Sequence, residues 1–250
     1  MLDSKAYLAR INYTGPTNPT PETLRGLHLA HLYSVPFENL DISLHRAITC
    51  DEQRFLHKIL NLHRGGFCYE LNGAFAALLR ELGFRVTLLS ARVAREDGSA
   101  SPEFDHMALR VELDEPWLAD VGFGDSFLEP LRLTPEIEQE QYGQRFRIAA
   151  VGKAMIVQRQ LVGEPWKSQF RFTQIPRQLC DFEARCQFQQ TSPESHFTRQ
   201  RICTLPTRDG RMTLSDLKLI RTSGKTRQER TLQNEEEWRA ALLEHFGVRL

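Results

Sequence analysis

Cys68 follows a glycine pair with one phenylalanine between, in His63-Arg-Gly-Gly-Phe-Cys-Tyr-Glu-Leu-Asn72, where a thiol could serve as a nucleophile. Leu71, Phe75, Leu78, Leu79 and Leu82 follow at steps of four, three, one and three, and Gly83 comes next. That is one face of an α-helix with its stop signal. Cys68 therefore lies near a helix N-terminus, where unpaired N–H groups and the macrodipole favour an anion, and Arg64 is expected to add positive charge. Both effects would lower the thiol below its free value of about 8.5. The competing reading is an inert, buried cysteine.

A nucleophilic cysteine needs a base, and the base needs a group that fixes its tautomer. His106 stands immediately before the strand-like run Met107–Leu113, and Asp120 ends the next one, Trp117–Val121. A turn at Asp114-Glu-Pro116 would make these strands antiparallel neighbours and bring His106 and Asp120 together. Taken singly, His106 reads as a strand-edge histidine and Asp120 as a turn residue. Gly122 and Gly124 flank Phe123 beside the acid; no helix follows this G-x-G, so close backbone approach to a substrate suits it better than a dinucleotide site. His28 and His31 are three apart but lack the further ligands that zinc requires, so no metal is expected.

The elements that must position these residues fall into three sections. Residues 1–83 read as a helical bundle carrying Cys68, including a helix that starts at Thr20-Pro21 and ends before Pro36. Val35–Asp41 reads as a loop. Residues 84–190 read as a mostly antiparallel sheet or barrel carrying His106 and Asp120, with strands at Phe84–Val93, Met107–Leu113, Trp117–Val121, Arg145–Ile148, Ala154–Gln158 and Trp166–Phe172. Pro176–Gln190 reads as helical. In residues 191–250, Ile202–Leu205 and Arg211–Leu214 flank a Gly-containing turn as a hairpin, and Asn234 caps a final helix that Gly247 closes.

The composition limits the function classes. The 250 residues are 41% hydrophobic and 26% charged, with 32 basic and 32 acidic side chains, so no global field would draw the chain to nucleic acid or an anionic membrane. No uncharged apolar run spans a bilayer and no basic-apolar leader precedes the first helix, so a cytoplasmic protein is expected. Five scattered cysteines without a C-x-x-C pair argue against both a disulfide framework and structural zinc.

Val35-Pro-Phe-Glu-Asn-Leu, Arg64-Gly-Gly-Phe-Cys-Tyr-Glu-Leu-Asn72, His106-Met and Asp120-Val-Gly-Phe-Gly124 together resemble the arylamine N-acetyltransferases in order and approximate spacing. The later Ser192-Pro-Glu-Ser-His-Phe197 and Ile202-Cys-Thr-Leu205 carry a weaker likeness. The resemblance implies an α+β fold: a helical bundle, a central antiparallel β-barrel and a C-terminal α/β lid around a papain-like cysteine transferase core. It implies a Cys68-His106-Asp120 triad, Phe37, Val93, Phe123 and Gly124 around the acceptor, and Gly122, Gly124 and Ser126 near coenzyme A. It further implies acetyl-CoA as a co-substrate with no permanently bound cofactor, aromatic amines as acceptors, and a monomer or homodimer. A cysteine amidase or peptidase of the transglutaminase-like type is the runner-up, because the same triad can use water as acceptor.

Overall fold

The computed structural model describes residues 2–250. Helix α1 (Ser4–Arg10) is capped by Asp3, whose carboxylate accepts from the Ala6 N–H, and α2 (Pro21–Ser34) by Thr20, with Pro21 in its first turn. A two-residue strand β1 (Phe37–Glu38) follows, then short helices α3 (Leu40–Ser43) and α4 (Glu52–Leu56) and a π-helical turn, His57–Asn61. Helix α5 (Cys68–Glu81) is buried on every side from Cys68 to Leu79, beyond the single apolar face that its leucines mark out. Its other faces carry Gly73, Ala74, Ala76 and Ala77, small enough for close packing; a Cβ at Gly73 would come within 2.8 Å of the Phe55 ring.

Eight antiparallel strands follow: β2 (Arg85–Val93), β3 (His106–Glu112), β4 (Pro116–Ala119), β5 (Leu131–Arg132), β6 (Gln139–Gln141), β7 (Gln144–Val151), β8 (Ala154–Gln160) and β9 (Lys167–Arg177). They pair in the order β5-β4-β3-β2-β9-β8-β7-β6, a nearly closed barrel. Period-two alternation gives its strands two cores. Leu109, Val111, Trp117 and Ala119 face α5 and the other helices, whereas Leu89, Ala91, Ala108 and Leu118 face the barrel interior with Phe146, Ile148, Val157 and Phe170. Between the end strands, carboxamides replace a ladder. The Gln139 side chain accepts from the Arg132 N–H at 2.8 Å and donates to its carbonyl at 3.2 Å. Gln141 accepts from the N–H groups of Leu128 and Glu129 and donates to the Glu129 carbonyl.

After a 3₁₀ turn at Leu179–Phe182, α6 (Glu183–Thr191) lies beside the bundle, and a second 3₁₀ turn, His196–Thr198, leads to β10 (Ile202–Thr207), β11 (Gly210–Ser215), β12 (Lys218–Ser223) and β13 (Thr226–Thr231). Helix α7 (Glu235–Phe246), capped by Asn234 and ended by Gly247 at φ 66°, packs Trp238, Leu242 and Phe246 against Cys203 and Leu214. The α+β architecture expected from sequence is present, with three local corrections. Pro176–Gln190 is not one helix: β9 runs through Pro176, which pairs with Leu89 at a bulge, and α6 starts only at Glu183. Val35–Asp41 is not simply a loop, because β1 joins β10 as the edge of the C-terminal sheet. Two further strands, β12 and β13, extend that sheet beyond the expected hairpin. Among the described residues no helix is long and apolar enough to cross a membrane.

Candidate active site

The glycine pair before Cys68 is dictated by crowding. A Cβ at Gly65 would lie 1.8 Å from the Pro36 carbonyl oxygen, and one at Gly66 would lie 2.6 Å from Glu70 Oε2. That second space admits the Glu70 side chain, which reaches back to accept from the Phe67 N–H at 3.0 Å and so caps α5. Burial pushes the Glu70 carboxyl up to about 7, opposed by the Lys58 ammonium at 2.8 Å. Arg64 does not face the thiol. Its guanidinium is buried against Glu38 at 2.8 Å and Asp41 at 3.1 Å, so its charge orders the β1–α3 segment instead of activating Cys68.

Cys68 occupies the first position of α5 and is 5% exposed, its thiol donating to the Asp105 carbonyl at 3.9 Å. The expected lowering of the thiol is not what these surroundings produce. Burial pushes it well above the free-thiol range, the Met107 backbone N–H opposes this, and the Asp105 and Asp120 carboxylates add to it. The helix terminus alone is too weak to outweigh the loss of water. Burial and the nearby carboxylates thus favour the thiol over the thiolate.

His106 begins β3, and Asp120 follows β4. The register Leu109↔Ala119, extended one step, sets residue 120 opposite 108, so His106 is a diagonal neighbour on the same face. His106 Nε2 lies 2.7 Å from Asp120 Oδ2, with both side chains buried. An Nε2–H donated to this carboxylate leaves Nδ1 as the acceptor of the ring. Asp120 is itself held from three directions. Its Oδ1 accepts from Asn72 Nδ2 at 2.8 Å and from the Gly122 N–H at 2.9 Å, and its backbone N–H donates to His28 Nε2 at 3.1 Å. Asn72, one turn after Cys68, also donates to the Met107 carbonyl and accepts from the Val121 N–H, tying α5 to β3 and to the loop after β4.

His28 and His31 are packing groups. His28 donates from Nδ1 to the Leu128 carbonyl at 2.8 Å and stacks on Phe127, and burial lowers it to about 4; His31 Nδ1 lies 3.0 Å from the Tyr7 hydroxyl. Each ring nitrogen of His28 thus has a backbone partner. Among the described residues no group of three or more His, Cys, Asp or Glu is placed to hold a metal ion.

Phe37, Cys68, Val93, His106, Gly122, Phe123 and Gly124 line one cavity of about 470 Å³. A Cβ at Gly122 would lie 2.8 Å from Cys68 Cα and 2.7 Å from Asn72 Nδ2, so only glycine lets this loop rest on the start of α5. Gly124 has φ +91°, and its open side faces the Phe37 ring. Phe123 meets the His106 ring edge-on at 5.2 Å and Phe170 lies as close, giving the imidazole apolar walls. Ser126 stands apart from this lining; its hydroxyl bonds the Gln169 side chain.

The wall opposite comes from residues whose part in the site the sequence does not disclose. Thr204, on β10, and Arg211 and Thr213, on β11, face the cavity, joined by His196, Phe197 and Gln189. The hairpin alternation was a usable signal for Thr204, whose partner Thr213 lies directly across the ladder. What remained hidden is that β1, by pairing with β10, draws this sheet over Cys68.

The N-acetyltransferase family profile matches residues 20–250. The chain is 35% identical over 246 residues to an arylamine N-acetyltransferase of Escherichia coli, covering 97% of this chain and 87% of that enzyme. It superposes on the solved arylamine N-acetyltransferase of Salmonella typhimurium with a TM-score of 0.92 at 34% identity, over 99% of this chain and 92% of that one. The Mycobacterium marinum arylamine N-acetyltransferase solved in complex with CoA gives 0.90 at 31% identity, over 98% and 93% of the two chains. With both sequence and fold matched over nearly their full lengths, the chain belongs to the arylamine N-acetyltransferase family of acyltransferases.

Proposed function

We propose that this protein moves an acetyl group from acetyl-CoA to arylamines, arylhydrazines and N-arylhydroxylamines by way of acetyl-Cys68. The observation that carries the reading is the meeting of three groups in one place: a thiol and an imidazole lining a single cavity, and a buried carboxylate 2.7 Å behind the imidazole. His106 takes the thiol proton as Cys68 attacks the thioester carbon. The two charges form together, each offsetting the burial that resists the other alone. Asp120 fixes the tautomer and supports the imidazolium. Backbone N–H groups around the start of α5 stabilise the oxyanion, and CoA departs as a thiol.

One thioester replaces another, so positioning and a good nucleophile supply most of what acylation needs. The amine then attacks the acetyl-Cys68 carbonyl, transferring a proton to His106, and the thiol is restored. Aromatic amines suit a cavity walled by Phe37 and Phe123, because they are uncharged at neutral pH and enter without the cost of desolvating an ammonium. Acetyl-CoA acts as a co-substrate, and thiols kept reduced by a cytoplasmic setting accord with a cysteine nucleophile.

Mixing the protein with acetyl-CoA in the absence of acceptor tests the mechanism. One equivalent of CoA should be released together with a single acetyl adduct on intact mass, mapped to Cys68, and Cys68→Ala should give neither. Rapid transfer to an arylamine without any adduct would exclude the covalent route. Steady CoA release without acceptor would mean that water is the partner and that the protein is a hydrolase.

A further inference from the structure

Asp125, directly after the Gly122–Gly124 loop, bridges two arginines from different sheets. Its Oδ1 lies 3.3 Å from Arg211 Nη2, on β11, and its Oδ2 lies 3.2 Å from Arg159 Nη1, on β8. The exposures run opposite to those of an ordinary surface bridge. The arginine side chains are only 15% and 18% exposed, whereas the carboxylate is 60% exposed.

Two fixed guanidiniums therefore share one accessible carboxylate, leaving a local excess of one positive charge. Their donors are not all used. Arg211 Nη1 donates to Thr204 Oγ1 at 3.1 Å, but the buried Nε of Arg159 has no partner. A guanidinium carries five N–H donors in a rigid fork matched to carboxylate and phosphate oxygens.

The position matters as much as the charge. Arg211 and Asp125 line the Cys68 cavity, while Asp125 and Arg159 line an adjoining cavity of about 510 Å³; both cavities also share Val93 and Phe123. The cluster thus sits at the junction of the two spaces. A substrate that reaches Cys68 while filling both must pass it.

We propose that Arg211 and Arg159 form an anion site of the reaction cavity, with Asp125 as its resident counter-ion. The ligand is an anionic oxygen group of a substrate, supplied either by a phosphate of the CoA ester or by a carboxylate on the aromatic amine. This rests on the acyl-transfer reading above and names the charge that its substrates carry to this junction.

The test compares kcat/KM ratios in the full-length protein. The donor arm sets acetyl-CoA against S-acetylpantetheine, which lacks the phosphates. The acceptor arm sets 4-aminobenzoate against a neutral aniline. Arg211→Gln and Arg159→Gln should lower the anionic-to-neutral ratio about tenfold in one arm, through KM, as expected for loss of a charge-assisted contact. The arm that responds identifies the source of the anion.

Arg211→Lys should recover part of the loss, and Asp125→Asn, by removing the competing carboxylate, should raise the same ratio. Ratios unchanged in both arms, or a fall in Asp125→Asn matching that of the arginine variants, would reduce the cluster to a structural bridge between sheets. Acetyl adduct formation by the parent protein is followed in parallel. If the adduct forms and the ratios stay fixed, only the anion site fails; if no adduct forms with either donor, the acyl-transfer reading fails.

Discussion

His28 holds the backbone of Asp120 from 92 residues away in sequence, and it does so as a neutral ring. Nδ1 donates to the Leu128 carbonyl, so Nε2 must accept from the Asp120 N–H, and protonation would set an Nε2–H against the Asp120 N–H, donor facing donor. Burial lowers His28 from 6.5 to about 4, which by linkage corresponds to about 3 kcal/mol. A lowered value means that the unfolded chain binds the proton more readily between pH 6.5 and 4. This contribution is therefore complete above pH 6.5 and is lost as pH falls through about 4. Chemical denaturation from pH 7 to 4 should show stability falling across that window, with a shallower slope in His28→Gln; parallel slopes would remove His28 from the account. At this scale the sequence discloses Cys68, His106 and Asp120, because each lies at the end of a readable element. The supporting roles of His28 and Asn72 are not legible, because they hold other residues in place and no local pattern records a partner so distant. The setting of Cys68 is only half legible for a related reason: a helix terminus is visible in sequence, but the burial that pushes the thiol up is not.

Elements whose ends are set by local chemistry were the most legible. Thr20-Pro21, Asn234 and Gly247 mark helix ends by capping and by φ preference, and the helices start and stop there. Where the decision belongs to a distant partner, the reading failed. Pro176 looks like a helix start, yet it lies in β9 because β2 pairs with it across a bulge. Phe37–Glu38 is too short to read as a strand, and its partner β10 lies far along the chain. The loop after β4 shows what such contacts demand. It rests on the first turn of α5 only because residue 122 lacks a Cβ, and the atoms that a Cβ would strike include the backbone of Cys68, which cannot yield as a flexible side chain would. Gly122→Ala should lower stability by about 1–3 kcal/mol, as overpacking does. It should slow acetylation by about tenfold or more, since a displacement of 1 Å costs about that much or more. Burst measurements of CoA release check this, and an unchanged burst rate would show that loop and helix move apart without consequence for the thiol.

The whole molecule is three cores arranged about one cavity, and no section supplies the cavity alone. Cys68 comes from the bundle, His106 from the barrel and Arg211 from the C-terminal sheet, while β2 to β4 belong to two cores at once. From the sequence a triad joining the first two sections is expected, but not that the third lines the same cavity with Thr204 and Arg211, because that depends on how the sheets pack. The barrel seam is the feature least visible in advance, since Gln139 and Gln141 look like ordinary polar surface until their carboxamides are seen bonding the opposite backbone. Replacing both with alanine should cost about 1–3 kcal/mol, because the N–H groups of Leu128, Glu129 and Arg132 lose their acceptors. Hydrogen exchange at those three amides should accelerate ahead of the rest of the barrel, and unchanged protection there would show that the seam is held by something else. An open sheet has two unpaired borders, each a template on which another chain can add a strand. In this protein the border at β5 is occupied by the glutamine side chains of β6, so the pair also denies that border to a neighbouring molecule. Their removal should register first in light scattering of concentrated solutions, well before any change in turnover.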